Sequence, residues 1–132
     1  MFAVLTCVDA RVDPLSILGI EVGEAAIVRT PGARVTAETL GSLAVLRHLI
    51  GIDRVVLIAH TDCKVSGRTP EELRDAVAAA GMAGTDGLVF ASAPDQAVAL
   101  REDVARLRAE LGVPVEGHVY DVHSGELTPA AG

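Results

Sequence analysis

Three chemically reactive side chains follow the first apolar run of the chain within five positions. Residues 2–5 read FAVL, and the segment that follows supplies Cys7, Asp9 and Arg11. A thiol, a carboxylate and a guanidinium are each costly to bury unless a neighbouring group satisfies them. Their place directly after an apolar run therefore predicts a polar site at the end of a buried strand.

A second group of such residues, HTDC at 60–63, follows another apolar run, RVVLIAH at 54–60. Parallel strands end at the same edge of a sheet, and neighbouring strands lie about 5 Å apart. If these two strands are neighbours, Cys7 and His60 lie close together at the strand ends. A single turn after His60 can then bring the Cys63 side chain back to the same point. Tetrahedral zinc holds two sulfurs about 3.8 Å apart, and three protein ligands with a fourth position left over are typical of a catalytic zinc site.

Asp9 and Arg11 are predicted to control the fourth ligand position of such a metal. Asp9 lies two residues after Cys7, so its carboxylate can take the fourth ligand position or accept a hydrogen bond from metal-bound water. Arg11 can instead hold that carboxylate in a bidentate pair and leave the metal free. Spacing alone leaves another interpretation open, in which the cysteines are small buried residues and His60 is a satisfied core histidine.

Composition and charge argue against several other classes of function. Only three residues are aromatic and the net charge is −7, so neither base stacking nor phosphate binding to a nucleic acid has support. No apolar stretch approaches the roughly 18 residues of a membrane span, and the N-terminus lacks the basic region of a secretory signal. Cys-x-x-Cys, Gly-x-Gly-x-x-Gly and Walker motifs are absent from the sequence. We expect a cytoplasmic protein without nucleic-acid or membrane partners.

The pattern of apolar residues predicts an α/β fold in one domain over residues 1–132. Near-continuous apolar runs suit parallel strands that are covered on both faces, and capping residues such as Thr36 and Thr69 mark helix starts. HSGELTP, at 123–129, is predicted as a turn into the tail. The predicted strands are 2–7, 25–30, 54–60 and 115–122, and the predicted helices are 36–51, about 69–80 and about 94–111.

The two motifs together resemble a known family. CVDAR at 7–11 and HTDC at 60–63 are similar to the paired Cys-x-Asp-x-Arg and His-x-x-Cys motifs of β-class carbonic anhydrases, and GHVYDVHSGEL at 117–127 resembles that family's closing strand and turn. The resemblance implies a mainly parallel sheet of about four to five strands flanked by helices. It also implies a homodimer or higher homo-oligomer with the active-site cleft at the dimer interface.

By the same resemblance, Cys7, His60 and Cys63 would bind Zn²⁺. Asp9 and Arg11 would form a dyad that is open and active when they pair, and closed and inactive when Asp9 ligates zinc. The implied enzyme is a carbonate dehydratase, which hydrates carbon dioxide reversibly to bicarbonate with zinc-bound hydroxide as the nucleophile. His123 is the candidate for a proton shuttle, against the alternative of an ordinary exposed turn histidine.

Three features depart from the family pattern. Lys64, the only lysine in the chain, stands where glycine usually follows the second cysteine. TPGARV at 30–35 keeps Gly32 but not the usual asparagine, and the N-terminal helical arm that clasps a neighbouring subunit is missing. Two alternatives therefore stay open: a hydrolase of carbon disulfide or carbonyl sulfide on the same zinc site, and a catalytically silent zinc-binding homologue.

Overall fold

A five-stranded sheet with four α-helices is the framework of residues 1–131, which are the residues that the computed structural model describes. The strand order is β2-β1-β3-β4-β5, in which the first four strands run parallel and β5 runs antiparallel to β4. The α/β prediction with a mainly parallel sheet is confirmed. The strands are β1 (Phe2–Cys7), β2 (Ala25–Thr30), β3 (Val55–His60), β4 (Val115–Tyr120) and β5 (Leu127–Ala131), and the helices are α1 (Pro14–Leu18), α2 (Ala37–Val45), α3 (Pro70–Ala79) and α4 (Gln96–Leu111).

β1 and β3 form the centre of the sheet because their side chains are almost all apolar. Every residue of β3 is buried, as are five of the six residues of β1. Thr6 is the polar exception within β1, and its hydroxyl donates to the carbonyl oxygen of Ile58 at 2.8 Å. The larger apolar cluster packs α2 and α4 on one face of the sheet through residues such as Leu43 and Leu107, while α1 packs on the other face through Ile17.

Three details of the strand predictions are wrong, although the bounds predicted for β2 are confirmed. β2 lies at an edge of the sheet, and its residues alternate between half-buried and exposed, so it is not covered on both faces in this chain. Part of the predicted 123–129 turn belongs to β5, and the predicted 115–122 strand ends at Tyr120. β5 carries a proline and two alanines, which strands disfavour, so its pairing with β4 rather than its own propensity holds it in place.

The helix predictions are confirmed, and side chains cap the helix starts. Thr36 and Thr69 each accept a backbone N–H through Oγ1 at 3.1 Å, from Thr39 and Glu72 respectively. The predicted 36–51 helix passes at its end into one π-helical turn that Gly51, with a φ of +91°, terminates. Within residues 1–131, no helix is long and apolar enough to cross a membrane.

A buried ion pair fixes the segment after β2 to α4. The Asp103 side chain, only 5% exposed, accepts from Arg34 Nε at 2.7 Å and from Arg34 Nη2 at 3.3 Å. The same carboxylate accepts the backbone N–H of Val35 at 3.2 Å, and the Thr30 hydroxyl donates to the carbonyl oxygen of Arg34 at 2.8 Å. Residues 31–35 are therefore closed into a turn by Thr30 and anchored to α4 at Arg34 and Val35, and Gly32 in this turn contacts Cys7 at the end of β1.

Asp103→Ala should destabilise the fold strongly, because it leaves the Arg34 guanidinium and the Val35 N–H without their buried acceptor. We expect the free energy of unfolding to fall by about 3–5 kcal/mol. Urea denaturation followed by circular dichroism measures this loss. Glu110→Ala is the matched control on the same helix, since it breaks only the exposed Arg106–Glu110 pair and should cost about 0.5 kcal/mol or less. Equal losses in the two variants would contradict the role given to Asp103.

Candidate metal centre

Three potential ligands converge where the central strands end. β1 and β3 are hydrogen-bonded neighbours, so Cys7 at the end of β1 lies beside His60 at the end of β3. The chain then reverses at Asp62, whose φ of +52° is left-handed, and this turn returns Cys63 to the same point. The two sulfurs and a ring nitrogen of His60 all lie within 4.8 Å of one another. The structure thus brings together the three residues that the sequence spacing predicts as ligands.

The hydrogen bonds of His60 leave one ring nitrogen available for a metal. Nδ1 lies 2.7 Å from the carbonyl oxygen of Thr61, which can only accept, so the hydrogen-bond network assigns the proton to Nδ1. Nε2 is then unprotonated, and it is buried with no hydrogen-bond partner among the described residues. A buried lone pair without a partner is costly, and metal-binding histidines commonly donate their other N–H to a carbonyl. The imidazole therefore fits a metal ligand.

The two cysteines are free thiols in different surroundings. Cys7 is buried, and its Sγ accepts the backbone N–H of Gly32 at 3.3 Å, whereas Cys63 is only partly buried. Donation of an N–H to sulfur stabilises the thiolate, which is the form that binds metals. Gly32 has a φ of +71°, a backbone conformation that favours glycine. The turn after β2 thus positions a hydrogen-bond donor on Cys7, a candidate ligand.

Asp9 lies beside the cluster, with its carboxylate paired to Arg11. Arg11 donates from Nε to Oδ1 at 3.1 Å, from Nη2 to Oδ2 at 2.9 Å, and from its backbone N–H to Oδ1 at 2.8 Å. These bonds from Arg11 hold the pKa of the Asp9 carboxyl well below its usual range. Asp9 Oδ2 also lies 3.8 Å from His60 Nε2. The carboxylate is therefore held by Arg11 within a short distance of the candidate ligands.

Arg29 stabilises the segment from Cys7 to Val12, a role that was not predicted from the sequence. Its Nε donates to the carbonyl oxygen of Cys7 at 2.8 Å. Its Nη2 donates to the carbonyl oxygens of Asp9 at 2.7 Å and Val12 at 2.6 Å. The sequence shows that Arg29 is the single charged residue in the mainly apolar run AAIVRT, which suggests a structural role. It does not show which carbonyl oxygens Arg29 contacts.

Asp62 is a second partner of Arg11 that was not predicted from the sequence. Its Oδ2 accepts from Nη1 at 3.0 Å, and its carbonyl oxygen accepts from Nη2 at 2.9 Å. The hydrogen bond from Arg11, together with the charge of Lys64, lowers the pKa of the Asp62 carboxyl. Lys64 itself is exposed, and so is His123, whose Nε2 lies 3.7 Å from Asp62 Oδ2. His123 therefore lies next to Asp62 rather than in the cluster.

A cavity of about 640 Å³ opens between β2, α2 and α3. Its wall includes Thr30, which pairs with Cys7 in the sheet, and Val65, which follows Cys63 by two residues. Arg29 and Glu38 contribute charge, while most of the remaining lining is apolar. The cavity therefore lies next to the candidate metal centre, although none of the three candidate ligands lines it.

Comparisons with known proteins agree with this geometry. The carbonic anhydrase family model matches residues 2–83. β-Carbonic anhydrase 1 of Mycobacterium tuberculosis is 32% identical over 130 residues, which cover 95% of this chain and 78% of that protein. Carbonic anhydrase from Streptococcus mutans has a crystal structure that matches with a TM-score of 0.84 and 28% identity, covering 98% of this chain and 80% of that chain. Carbon disulfide hydrolase of Acidianus sp. is 36% identical over 70 residues, which cover 53% of this chain and 34% of that protein. The chain belongs to the β-carbonic anhydrase family.

Proposed function

We propose that this protein is a zinc enzyme that catalyses the reversible hydration of carbon dioxide to bicarbonate. Membership of the family supports carbonate dehydratase activity. The observation on which the zinc site rests is His60: its ring lies close to two free thiols, and its buried Nε2 has no hydrogen-bond partner in the described part of the chain. Two thiolates and one imidazole suit zinc and leave a fourth position open. When bound, zinc would lower the pKa of a water molecule in that position towards 7 and so supply a nucleophile at neutral pH.

Cys7, His60 and Cys63 would hold the ion, and backbone groups would orient them. The Thr61 carbonyl holds the His60 ring through Nδ1 and so leaves Nε2 available for the ion, and the Gly32 N–H donates to the Cys7 sulfur. Both thiols must stay reduced to act as ligands. A reducing compartment such as the cytoplasm, which is part of the proposal, meets that condition.

Arg11 would keep the Asp9 carboxylate off the metal. While the pair holds, Asp9 would not occupy the fourth position, and its carboxylate, 3.8 Å from His60 Nε2, would be close enough to the site to accept a hydrogen bond from a water molecule there. Without the pair, Asp9 would become the fourth ligand and close the site. Because Arg11 keeps Asp9 ionised far below neutral pH, the position of the carboxylate rather than its protonation would decide between the two states.

Hydrolysis of carbon disulfide or carbonyl sulfide is the second candidate function. The match to the carbon disulfide hydrolase of Acidianus sp. favours it, but that match covers 53% of this chain against 95% for the β-carbonic anhydrase of Mycobacterium tuberculosis. Steady-state assays of the zinc-loaded protein with the three substrates separate the two candidates. Zinc binding with no turnover of any of them would identify a catalytically silent homologue.

A second copy of the chain would cover the exposed edge at β2. An edge strand presents unpaired backbone N–H and C=O groups. Ile27 on this strand is 37% exposed, and Val89 at the neighbouring cavity is 87% exposed. A homodimer or higher homo-oligomer formed here would bury both apolar groups and enclose the cavity beside the metal centre.

His60→Ala should abolish zinc binding, because it removes the proposed ligand whose lone pair has no other partner within residues 1–131. We expect reduced, purified wild-type protein to contain zinc at the protein concentration, and the variant to contain little. Metal analysis by inductively coupled plasma spectrometry measures both. His48→Ala is the control, since His48 is exposed and lies outside the cluster. Equal zinc contents in wild type and His60→Ala would refute the metal centre.

Arg11→Ala should suppress carbon dioxide hydration while zinc stays bound, because Asp9 is released to take the fourth position. We expect kcat/KM to fall by at least about tenfold, as is typical when a group that orients a metal site is lost. Stopped-flow assays from about pH 6.5 to 9, with metal analysis of the same sample, measure this. Arg101→Ala, at an exposed position on α4, controls for the loss of one positive charge. Full activity in Arg11→Ala would rule out the dyad mechanism.

Ile27→Lys should weaken self-association, because a lysine on an edge strand opposes pairing with another strand. We expect wild-type protein to sediment as a dimer or larger and the variant to shift towards the monomer. Analytical ultracentrifugation over a range of concentrations measures the shift. Val22→Lys, at a residue that is 90% exposed and outside β2, is the control. A wild-type monomer at high concentration would contradict the proposed assembly.

A further inference from the structure

We propose that Asp62 is a positioning residue of the site: it anchors the Arg11 guanidinium so that this group stays in place to receive Asp9. The inference rests on the proposed function, because it concerns the same metal site. It assigns a task to a residue that lies between two candidate ligands but is not a ligand itself. It also makes Asp9, and not Arg11, the part of the dyad that moves.

The donors of Arg11 are divided between two carboxylates. Among residues 1–131, Nε bonds only to Asp9 and Nη1 only to Asp62, while Nη2 donates both to Asp9 Oδ2 and to the carbonyl oxygen of Asp62. If Asp9 turns away, Arg11 keeps both of its bonds to Asp62. The guanidinium then remains where Asp9 can return to it.

Asp62 lowers the conformational-entropy cost of bringing the Arg11 side chain into the geometry that pairs with Asp9. The Arg11 side chain is 41% exposed, and a free arginine loses much rotamer freedom when it is fixed in one geometry. Asp62 imposes this order before Asp9 pairs, which favours the open state. Repulsion between the two carboxylates opposes the effect, but Arg11 lies between them and the Asp62 side chain is 47% exposed, so solvent screens the repulsion. We therefore expect the ordering of Arg11 by Asp62 to stabilise the open state more than the repulsion between the two carboxylates destabilises it.

The backbone at Asp62 has a left-handed conformation that suits this task. Its φ of +52° lies in a region that residues other than glycine, asparagine and aspartate mostly avoid. The turn is tied to β4 through Thr61, whose N–H donates to the carbonyl oxygen of Tyr120 at 2.9 Å and whose hydroxyl accepts the Val122 N–H at 3.1 Å. The conformation thus directs both the side chain and the carbonyl of Asp62 to Arg11.

Azide binding to the cobalt-substituted protein tests the inference without relying on turnover. Azide needs the fourth position, so its apparent affinity falls as the closed state becomes more populated. We expect Asp62→Ala to bind azide about fivefold more weakly than wild type, by visible absorption titration at fixed pH. Asp62→Gly, which accommodates the positive φ without strain, should show the same loss. Asp62→Asn keeps an acceptor oxygen and tolerates the left-handed backbone, so its affinity should stay within about twofold of wild type.

Asp53→Ala is the matched control, since it removes an exposed carboxylate before β3, at the opposite end of the strand. Wild-type affinity in both Asp62→Ala and Asp62→Gly, with azide binding lost in Arg11→Ala, would overturn this inference and leave the proposed function intact. A loss in Asp62→Asn as large as in Asp62→Ala would also overturn it, because the acceptor is still present. Unchanged azide binding in Arg11→Ala would instead refute the dyad itself, and the inference with it.

Discussion

Parallel pairing of β1 with β3 is the constraint on which the site depends. The register sets Thr6 opposite Ile58, and the Thr6 hydroxyl adds a bond to the carbonyl oxygen of that same residue. Because side chains alternate between faces, a slip of one residue would turn Cys7 away from the face that it shares with α2 and α4. The two central strands are buried almost throughout, so burial of their apolar side chains fixes the register. The convergence of Cys7, His60 and Cys63 is thus a consequence of packing the core.

The polar groups beyond the strand ends are held by bonds that reach across the sheet edge. Arg29 satisfies three carbonyl oxygens of the loop after β1, and Arg11 lies between Asp9 and Asp62. Within residues 1–131, two non-glycine residues have a positive φ, Ala33 and Asp62, and both lie in turns beside the cluster. Strain of this kind persists where surrounding structure enforces it, and it often marks functional sites. These hydrogen bonds position the loops that carry the three candidate ligands.

The sequence was informative where burial or short-range spacing decides the structure. Runs 2–7 and 54–60 predicted the central strands because buried parallel strands are apolar throughout, and the CVDAR and HTDC motifs identified the potential ligands. The edge position of β2 depends on which distant segments pair, and β5 exists because the chain turns back after Tyr120 to pair with β4; composition reveals neither. The contacts of Arg29 and Asp62 likewise join residues 17 to 51 positions apart. The identity of the metal and the role of the dyad stay predictions.

The zinc ligand set is the central claim, and X-ray absorption at the zinc edge of the reduced, zinc-loaded protein tests it most directly. The account predicts two sulfurs at about 2.3 Å and one imidazole nitrogen at about 2.0 Å, with one further light atom completing the shell. A shell made only of nitrogen and oxygen would contradict it, because the two cysteines would then not be ligands.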